Sequence, residues 1–317
     1  MAMLEVRDLR VTIAREQGPV TAVDGVSFQV ERGQVLGLVG ESGCGKSLTA
    51  LALLQLTPPV AQVTGSIRLD GRELVGLSDA ALRPLRGAEI AMIFQEPMTA
   101  LNPVMTVGAQ VAEAVAAHRS VSRPQAWDRA VELLVEVGIA EPARRARDYP
   151  HQLSGGMRQR VMIAMAIACK PKVLVADEPT TALDVTIQAG ILDLLRRLRT
   201  QHGMALLLIT HDLGVVAEQA DEVAIMYGGR IVEHAPTTAL FAHPRHPYTI
   251  ALLRSMPTLG ATTARLTAIP GNVPGLGHLL SGCGFRDRCP QQTDECSRQA
   301  PPLRSLASGH AVACVHA

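Results

Sequence analysis

Eight residues, Gly40-Glu-Ser-Gly-Cys-Gly-Lys46-Ser47, limit what this chain can fold into more sharply than anything else in it. They match the spacing G-x-x-x-x-G-K-[ST]. They also stand where that spacing has physical meaning, after the continuous apolar run from Val35 to Val39 and before LTALALLQL, which meets no breaker until Pro58-Pro59. A buried strand, a glycine-rich loop and a helix, in that order, surround an anion with backbone N–H groups and a helix N-terminus. Gly40, Ser42, Gly43, Cys44, Gly45 and Leu48 are the candidate contacts of that cradle. Lys46 is expected to reach the β- and γ-oxygens of a nucleotide, and the Ser47 hydroxyl to ligate Mg2+. Cys44 reads as a small filler rather than a working thiol.

Two further segments fit the same chemistry. Val173-Leu-Val-Ala-Asp177-Glu178 closes a second buried strand with adjacent carboxylates; the first is suited to hold Mg2+ through water, the second to orient or deprotonate an attacking water. Neighbouring strand residues face opposite ways, so the two acids must differ in role. At Leu153-Ser154-Gly155-Gly156 a serine and two glycines precede the helix-like run from Val161, another N-terminus suited to an anion. Between the two loops the apolar spacing from about Val107 to Ile167 is helical. Beyond it the strand-like runs 172–176 and 204–209 flank the helix-patterned 185–199. With strands over 4–13, 26–30 and 35–39, this alternation predicts an α/β fold with a mostly parallel sheet.

Taken together, these motifs resemble the ATP-binding subunits of ABC transporters. The resemblance implies a P-loop ATPase core with an inserted helical subdomain, in which the LSGG-type segment of one subunit closes on ATP held by another. It extends to Gln95 as a loop glutamine sensing the γ-phosphate, to Ala182-Leu183-Asp184 as a dimer-contact loop, and to His211 as a histidine following the strand at 204–209. Glu178, His211 and Gln95 are then the catalytic set, and Ser47, Gln95 and Asp177 the Mg2+ ligands. Ser154, Gly155, Gly156 and Asp184 serve nucleotide across the dimer. Phe94 to Pro103 (FQEPMTALNP) and Leu153 to Ala164 (LSGGMRQRVMIA) are similar to the dipeptide, oligopeptide and nickel importer branch. His246-Pro247-Tyr248, Ile269-Pro-Gly271 and the ending His310-Ala-Val-Ala-Cys314 resemble the C-terminal extension of its peptide-importing members.

That resemblance implies a nucleotide-binding domain over 1–235, its helical subdomain at about 96–168, and a loop-rich extension over 236–317. It implies an ATPase that powers import of dipeptides or oligopeptides, with nickel or another small solute as the alternative. Its partners would be two transmembrane permease subunits, a second like or paralogous ATPase subunit and, through the complex, an extracytoplasmic substrate-binding protein. One departure stands out: residues 14–21 (AREQGPVT) offer no aromatic to stack on adenine, leaving Val20 or the stem of Arg15 to cover the base.

Composition narrows the alternatives. Thirty Lys and Arg against 29 Asp and Glu give a net charge of +1, so nothing favours a polyelectrolyte partner, and no nucleic acid is expected. The runs Arg144-Arg145-Ala-Arg147 and Arg196-Arg197-Leu-Arg199 read as solvated helix faces. The longest apolar run, Val161 to Cys169, is about half the ~20 residues of a membrane span, and MAMLEVRDLR is no secretory signal. The expected location is therefore peripheral, on the cytoplasmic face of the inner membrane. A soluble ABC ATPase of DNA repair or translation would normally carry two cassettes or a long coiled coil, and neither is visible.

Four of the six cysteines, Cys283, Cys289, Cys296 and Cys314, crowd the end of the chain. Their intervening spacings of 5, 6 and 17 residues match neither common zinc sites nor ferredoxin runs. The likeness to peptide importers implies a [4Fe–4S] cluster there, with Zn2+ as the alternative, in a structural role.

Overall fold

The computed structural model describes residues 2–181, 183–256, 269–273, 281–306 and 309–317. Chain order runs β1 (Leu4–Ile13), β2 (Val20–Val30), β3 (Val35–Val39), α1 (Lys46–Leu53), β4 (Ala61–Leu69), β5 (Arg72–Glu73), α2 (Asp79–Leu82) and β6 (Ile90–Ile93). There follow α3 (Pro97–Ala100), α4 (Val107–Ala116), α5 (Arg123–Glu136), α6 (Pro142–Arg145), α7 (Gly155–Ile167), β7 (Val173–Asp177), α8 (Val185–His202), β8 (Ala205–Thr210) and α9 (Leu213–Gln219). The last elements are β9 (Glu222–Tyr227), β10 (Arg230–Pro236), α10 (Thr237–Ala242), α11 (Pro247–Arg254), α12 (Glu295–Arg298), β11 (Arg304–Ser305) and β12 (Ala311–Val312).

The main sheet has the order β11-β12-β10-β9-β3-β8-β7-β6. From β9 to β6 every pairing is parallel, and the three pairings at the other edge are antiparallel. Strands β3, β7 and β8 are buried at every position, as parallel strands covered on both faces must be, which is why each reads as a continuous apolar run. A smaller antiparallel sheet, β2-β1-β4-β5, packs its alternate apolar residues over α1 and the neighbouring strands of the main sheet. Strand β2 begins at residue 20, where the alternation predicts 26. The cause is Gly25, at φ 71°, which interrupts the pattern without ending the pairing.

The helical subdomain is built by α4, α5 and α7, whose Val107, Val111, Leu133, Leu134, Val161 and Ile163 share a core with Ala91 and Ile93 of β6. Each helix starts at a side-chain cap: Thr106, Ser122 and Ser154, with Gln125 completing a capping box at Ser122. The carbonyls at the end of α5 are satisfied by arginines, Arg197 donating to Glu136 O at 2.8 Å and Arg160 to Val137 O. Arg199 donates to Gly33 O at 2.9 Å. The basic run on α8 therefore does structural bonding as well as facing solvent.

The tail is joined to the core more closely than its composition suggests. Strand β12 pairs with β10, extending the main sheet. Glu233 on β10 is fully buried and accepts from Arg245 N at 2.7 Å, His246 N at 2.9 Å and His310 Nε2 at 2.7 Å, so one carboxylate ties two adjacent backbone N–H groups and an imidazole near the chain's end to the sheet. Beside it Tyr227, Tyr248 and Phe285 pack with ring centroids 4.6 to 5.3 Å apart. In a chain with three tyrosines and four phenylalanines, this concentration marks the joint where the tail meets the sheet.

His246 makes that joint sensitive to acid. Its Nδ1 accepts the Tyr248 N–H at 3.1 Å while Nε2 is buried without a partner among the described residues, and burial pushes its pKa down to about 4. Because the folded value lies below the unfolded one of roughly 6.5, the unfolded chain takes up the proton first. The stability this residue contributes is complete above that unfolded value and is lost as pH falls towards the folded one. Between pH 7 and 4.5 the loss should be roughly 2–3 kcal/mol. Denaturant unfolding of the wild type and of His246→Asn checks this: the variant should lose that much less on acidification, and equal losses would clear His246.

Candidate active site

The loop Gly40–Ser47 leaves β3 and enters α1 through backbone that only glycine adopts readily. Gly43 stands at φ 81° and Gly45, the residue capping α1, at φ 105°. A Cβ at position 40 would fall 2.2 Å from Met226 O, so the close approach of loop to β9 also requires glycine there. Ser42 and Gly43 form the exposed crest, while Ser47 and Leu48 are half-buried on α1. Lys46 is folded back over the loop, its Nζ donating to Gly40 O at 2.7 Å and Glu41 O at 3.0 Å. Cys44 is buried in the core cluster beneath, and burial pushes its thiol up although Lys46 pulls the other way. That is the filler role its sequence context suggests.

Asp177 ends β7, only 3% exposed, and its Oδ1 has no hydrogen-bond partner among the described residues. Burial pushes its carboxyl pKa up and the neighbouring Glu178 adds to that, against the opposing Ser47 hydroxyl and Lys46 charge. An underpaired buried carboxylate beside a serine hydroxyl is the oxygen-donor chemistry Mg2+ takes, so these residues fit that ion.

Glu178 stands at φ 46°, a left-handed conformation costing about 1–2 kcal/mol for a residue with a Cβ, yet its N–H still donates to Ile209 O at 2.9 Å. The turn delivers its carboxylate to a meeting point of three strand ends. Oε2 lies 3.2 Å from Gln95 Nε2, just past β6, and 3.4 Å from His211 Nδ1, just past β8. It also accepts from Thr181 Oγ1 at 2.7 Å. His211 is set by its neighbour: Asp212 caps α9, accepting from Gly214 N at 2.8 Å and Val215 N at 3.3 Å. Candidate residues 83 and 33 positions apart thus converge because β6, β7 and β8 are adjacent and parallel, with their C-terminal ends on one side. Thr181 was not singled out by sequence; its only signal is a hydroxyl three residues after the acid.

Ser154, Gly155 and Asp184 are exposed and do not join this cluster. Ser154 caps α7, accepting from Met157 N at 3.4 Å, and a Cβ on Gly156 would meet Ile187 at 2.7 Å. Leu183 is half-buried, and Ala182 lies outside the described residues. Arg15 is exposed and Val20 half-buried at the start of β2.

The four tail cysteines are free thiols, and among the described residues no group of three or more His, Cys, Asp or Glu side chains is placed to hold a metal ion. The expected cluster site is thus not formed by the side chains as they stand. Cys296 Sγ is engaged with Thr293 Oγ1 at 3.6 Å and His316 Nε2 at 3.8 Å, and Cys314 Sγ accepts from His316 N at 3.5 Å. Cys283 and Cys289 pack at the edge of the apolar cluster around Phe285. Burial pushes both of these thiols up.

The ABC transporter family profile matches residues 23–181, and a profile described as the oligopeptide/dipeptide transporter C-terminal region matches residues 232–296. The chain is 53% identical over 315 residues to a probable peptide ABC transporter ATP-binding protein, y4tR, of Sinorhizobium fredii, covering 98% of this chain and 94% of that one. It is 50% identical to the dipeptide transport ATP-binding protein DppD of Escherichia coli, covering 99% and 96%. Against the oligopeptide transport ATP-binding protein OppD of Mycobacterium tuberculosis it is 53% identical, but spans only 52% of that longer chain. Among solved structures, the dimeric post-hydrolysis state of the ATP-binding cassette MJ0796 with ADP and Pi superposes with a TM-score of 0.67 at 27% identity, over 74% of this chain and 99% of that one.

Proposed function

The chain belongs to the ABC transporter family, and from that membership and the geometry of its strand ends we propose that it is the ATP-hydrolysing subunit powering peptide import. The observation that carries the hydrolytic reading is the convergence of Gln95, Thr181 and His211 on one oxygen of Glu178, beside the loop that holds Lys46. A phosphate tail laid on Gly40–Ser47 would draw Lys46 off the loop carbonyls onto its own oxygens. Ser47 and Asp177 would hold Mg2+, with Gln95 reaching it from β6; the ion would neutralise charge developing on the phosphate oxygens. Glu178 would take the proton of the attacking water, and His211 would steady the carboxylate.

The second half of each site has to come from another cassette. Ser154, Gly155 and Asp184 are exposed on this chain, which suits a face that closes on nucleotide bound by a partner. No helix among the described residues is long and apolar enough to cross a membrane, so transport requires separate permease subunits. Residues 95–103, leading from β6 into the helical subdomain, are the proposed joint to them. We place the subunit at the cytoplasmic face of the membrane, fed by an extracytoplasmic binding protein. The division into a cassette over 1–235 and an extension over 236–317 belongs to the same reading.

Two measurements test these assignments. Lys46→Ala should weaken ATP binding by about tenfold or more, since it removes the positive charge folded over the phosphate cradle; unchanged affinity would move the site elsewhere. In the reconstituted transporter, peptide-loaded binding protein should stimulate ATP hydrolysis, and stimulation by nickel alone would reassign the cargo.

For the tail, a [4Fe–4S] cluster, or Zn2+ in its place, remains part of the proposal. What supports it is the clustering of Cys283, Cys289, Cys296 and Cys314 in one loop-rich unit, three of them within the segment that matches the oligopeptide/dipeptide transporter C-terminal profile. Binding would need the Cys296 and Cys314 contacts with His316 to open and buried thiols to ionise. Anaerobic purification with iron, sulfide and zinc analysis should find about four iron and four sulfide per chain. Zinc without sulfide would replace the cluster, and no metal would remove it.

A further inference from the structure

Within the phosphate-binding loop the most heavily tied residue is one to which the motif assigns no chemistry. Glu41 has every polar group engaged. Its N–H donates to Tyr248 Oη at 3.0 Å, its carbonyl accepts from Lys46 Nζ at 3.0 Å, and its carboxylate accepts both arms of Arg288. The fork is bidentate, with Nη1 to Oε2 at 2.7 Å and Nη2 to Oε1 at 3.0 Å. Two of the three partners come from beyond β10, 207 and 247 residues away along the chain.

Arg288 is itself rigidly seated. Its Nε donates to Pro270 O at 2.7 Å, its Nη1 lies 3.3 Å from Tyr227 Oη, and its guanidinium sits 5.7 Å from the Tyr227 ring and 5.8 Å from the Phe285 ring. Its side chain is 5% exposed against 29% for Glu41, so the cation is the fixed partner and the carboxylate the one free to move.

A carboxylate in a loop built for a polyphosphate is a liability unless a cation claims it. Two cations border Glu41: Arg288, which holds it, and Lys46, whose ammonium already touches Glu41's own carbonyl. A carboxylate released from Arg288 therefore has the phosphate-binding lysine within side-chain reach, and would compete with nucleotide for it. The geometry points to Arg288 as a positioning residue for ATP: by gripping Glu41 it keeps that carboxylate off Lys46, so the C-terminal unit sets the affinity of the loop for nucleotide. The inference rests on reading Gly40–Ser47 as the ATP site.

Equilibrium ATP binding to the full chain tests it through a double-mutant cycle. Arg288→Met should raise the Kd for ATP about tenfold, because it leaves a carboxylate unpaired beside the loop. Glu41→Gln alone should bind ATP at least as tightly as the wild type, since an amide cannot neutralise Lys46. The double variant should return to within about threefold of the wild type. A merely bracing role for Arg288 predicts instead that the double variant stays as weak as Arg288→Met, and that result overturns the inference. So does weakened binding in Glu41→Gln, or an Arg288→Met affinity within about twofold of the wild type. If Arg288→Met does not fold, Arg288→Lys takes its place in the same cycle, with about threefold weakening and the same rescue by Glu41→Gln expected; absence of either overturns the inference. Lys46→Ala in the same assay separates the two readings. Unchanged affinity there rejects the loop as the ATP site, whereas its loss alongside an unaffected Arg288→Met rejects only the role of Arg288.

Discussion

Replacing Glu178 by glutamine should leave ATP binding intact and slow hydrolysis by roughly 10²–10⁴-fold, the usual worth of a general base. The amide has the same shape, and its oxygen can still accept from Gln95 and Thr181, so the cluster at the ends of β6, β7 and β8 has no reason to disperse. What is lost is the capacity to take a proton from water. The left-handed backbone at Glu178 argues the same way: a cost of about 1–2 kcal/mol at φ 46° persists where surroundings fix a side chain for a task. Single-turnover hydrolysis and ATP affinity, measured on the same protein, check the two halves separately. Turnover near the wild-type rate would remove Glu178 as the base, and loss of affinity would mean that the carboxylate supports the loop rather than the chemistry.

How much of this was visible beforehand depends on the range of the interaction. The strand-loop-helix unit around Lys46 is written locally, in an apolar run, three glycines and an unbroken helical pattern, and it folds as that pattern requires. Asp177 and Glu178 were legible as acids closing a buried strand, but not the turn that separates them, because no spacing rule predicts a glutamate at positive φ. The meeting of Gln95 with His211 depends on strand order, which the motifs imply only through a family likeness. Tyr248 was legible only as part of the family-like His246-Pro247-Tyr248, and nothing in the sequence ties it or Arg288 to Glu41, since that partner lies more than 200 residues away and an arginine in a loop-rich tail looks like any solvated charge. The tail cysteines show the reverse: their clustering in sequence suggests a metal site that the placed side chains do not form.

Ser154→Arg should abolish ATP-driven dimerisation and lower ATPase activity by about 10²-fold or more, while leaving ATP binding by the single chain nearly unchanged. Within one chain the substitution is mild. Ser154 is exposed, so a longer side chain meets nothing, and losing its acceptance of the Met157 N–H costs about 1 kcal/mol at the start of α7. A severe effect therefore has to arise where that exposed N-terminus meets something else. If the something is nucleotide on a second cassette, a guanidinium on its long stem fills the space the phosphates must enter and forces the two faces apart. Sedimentation with and without ATP, in a Glu178→Gln background in which bound ATP should persist unhydrolysed, reads this directly. A dimer that still forms, or ATP binding lost together with dimerisation, would place Ser154 outside a site shared between subunits.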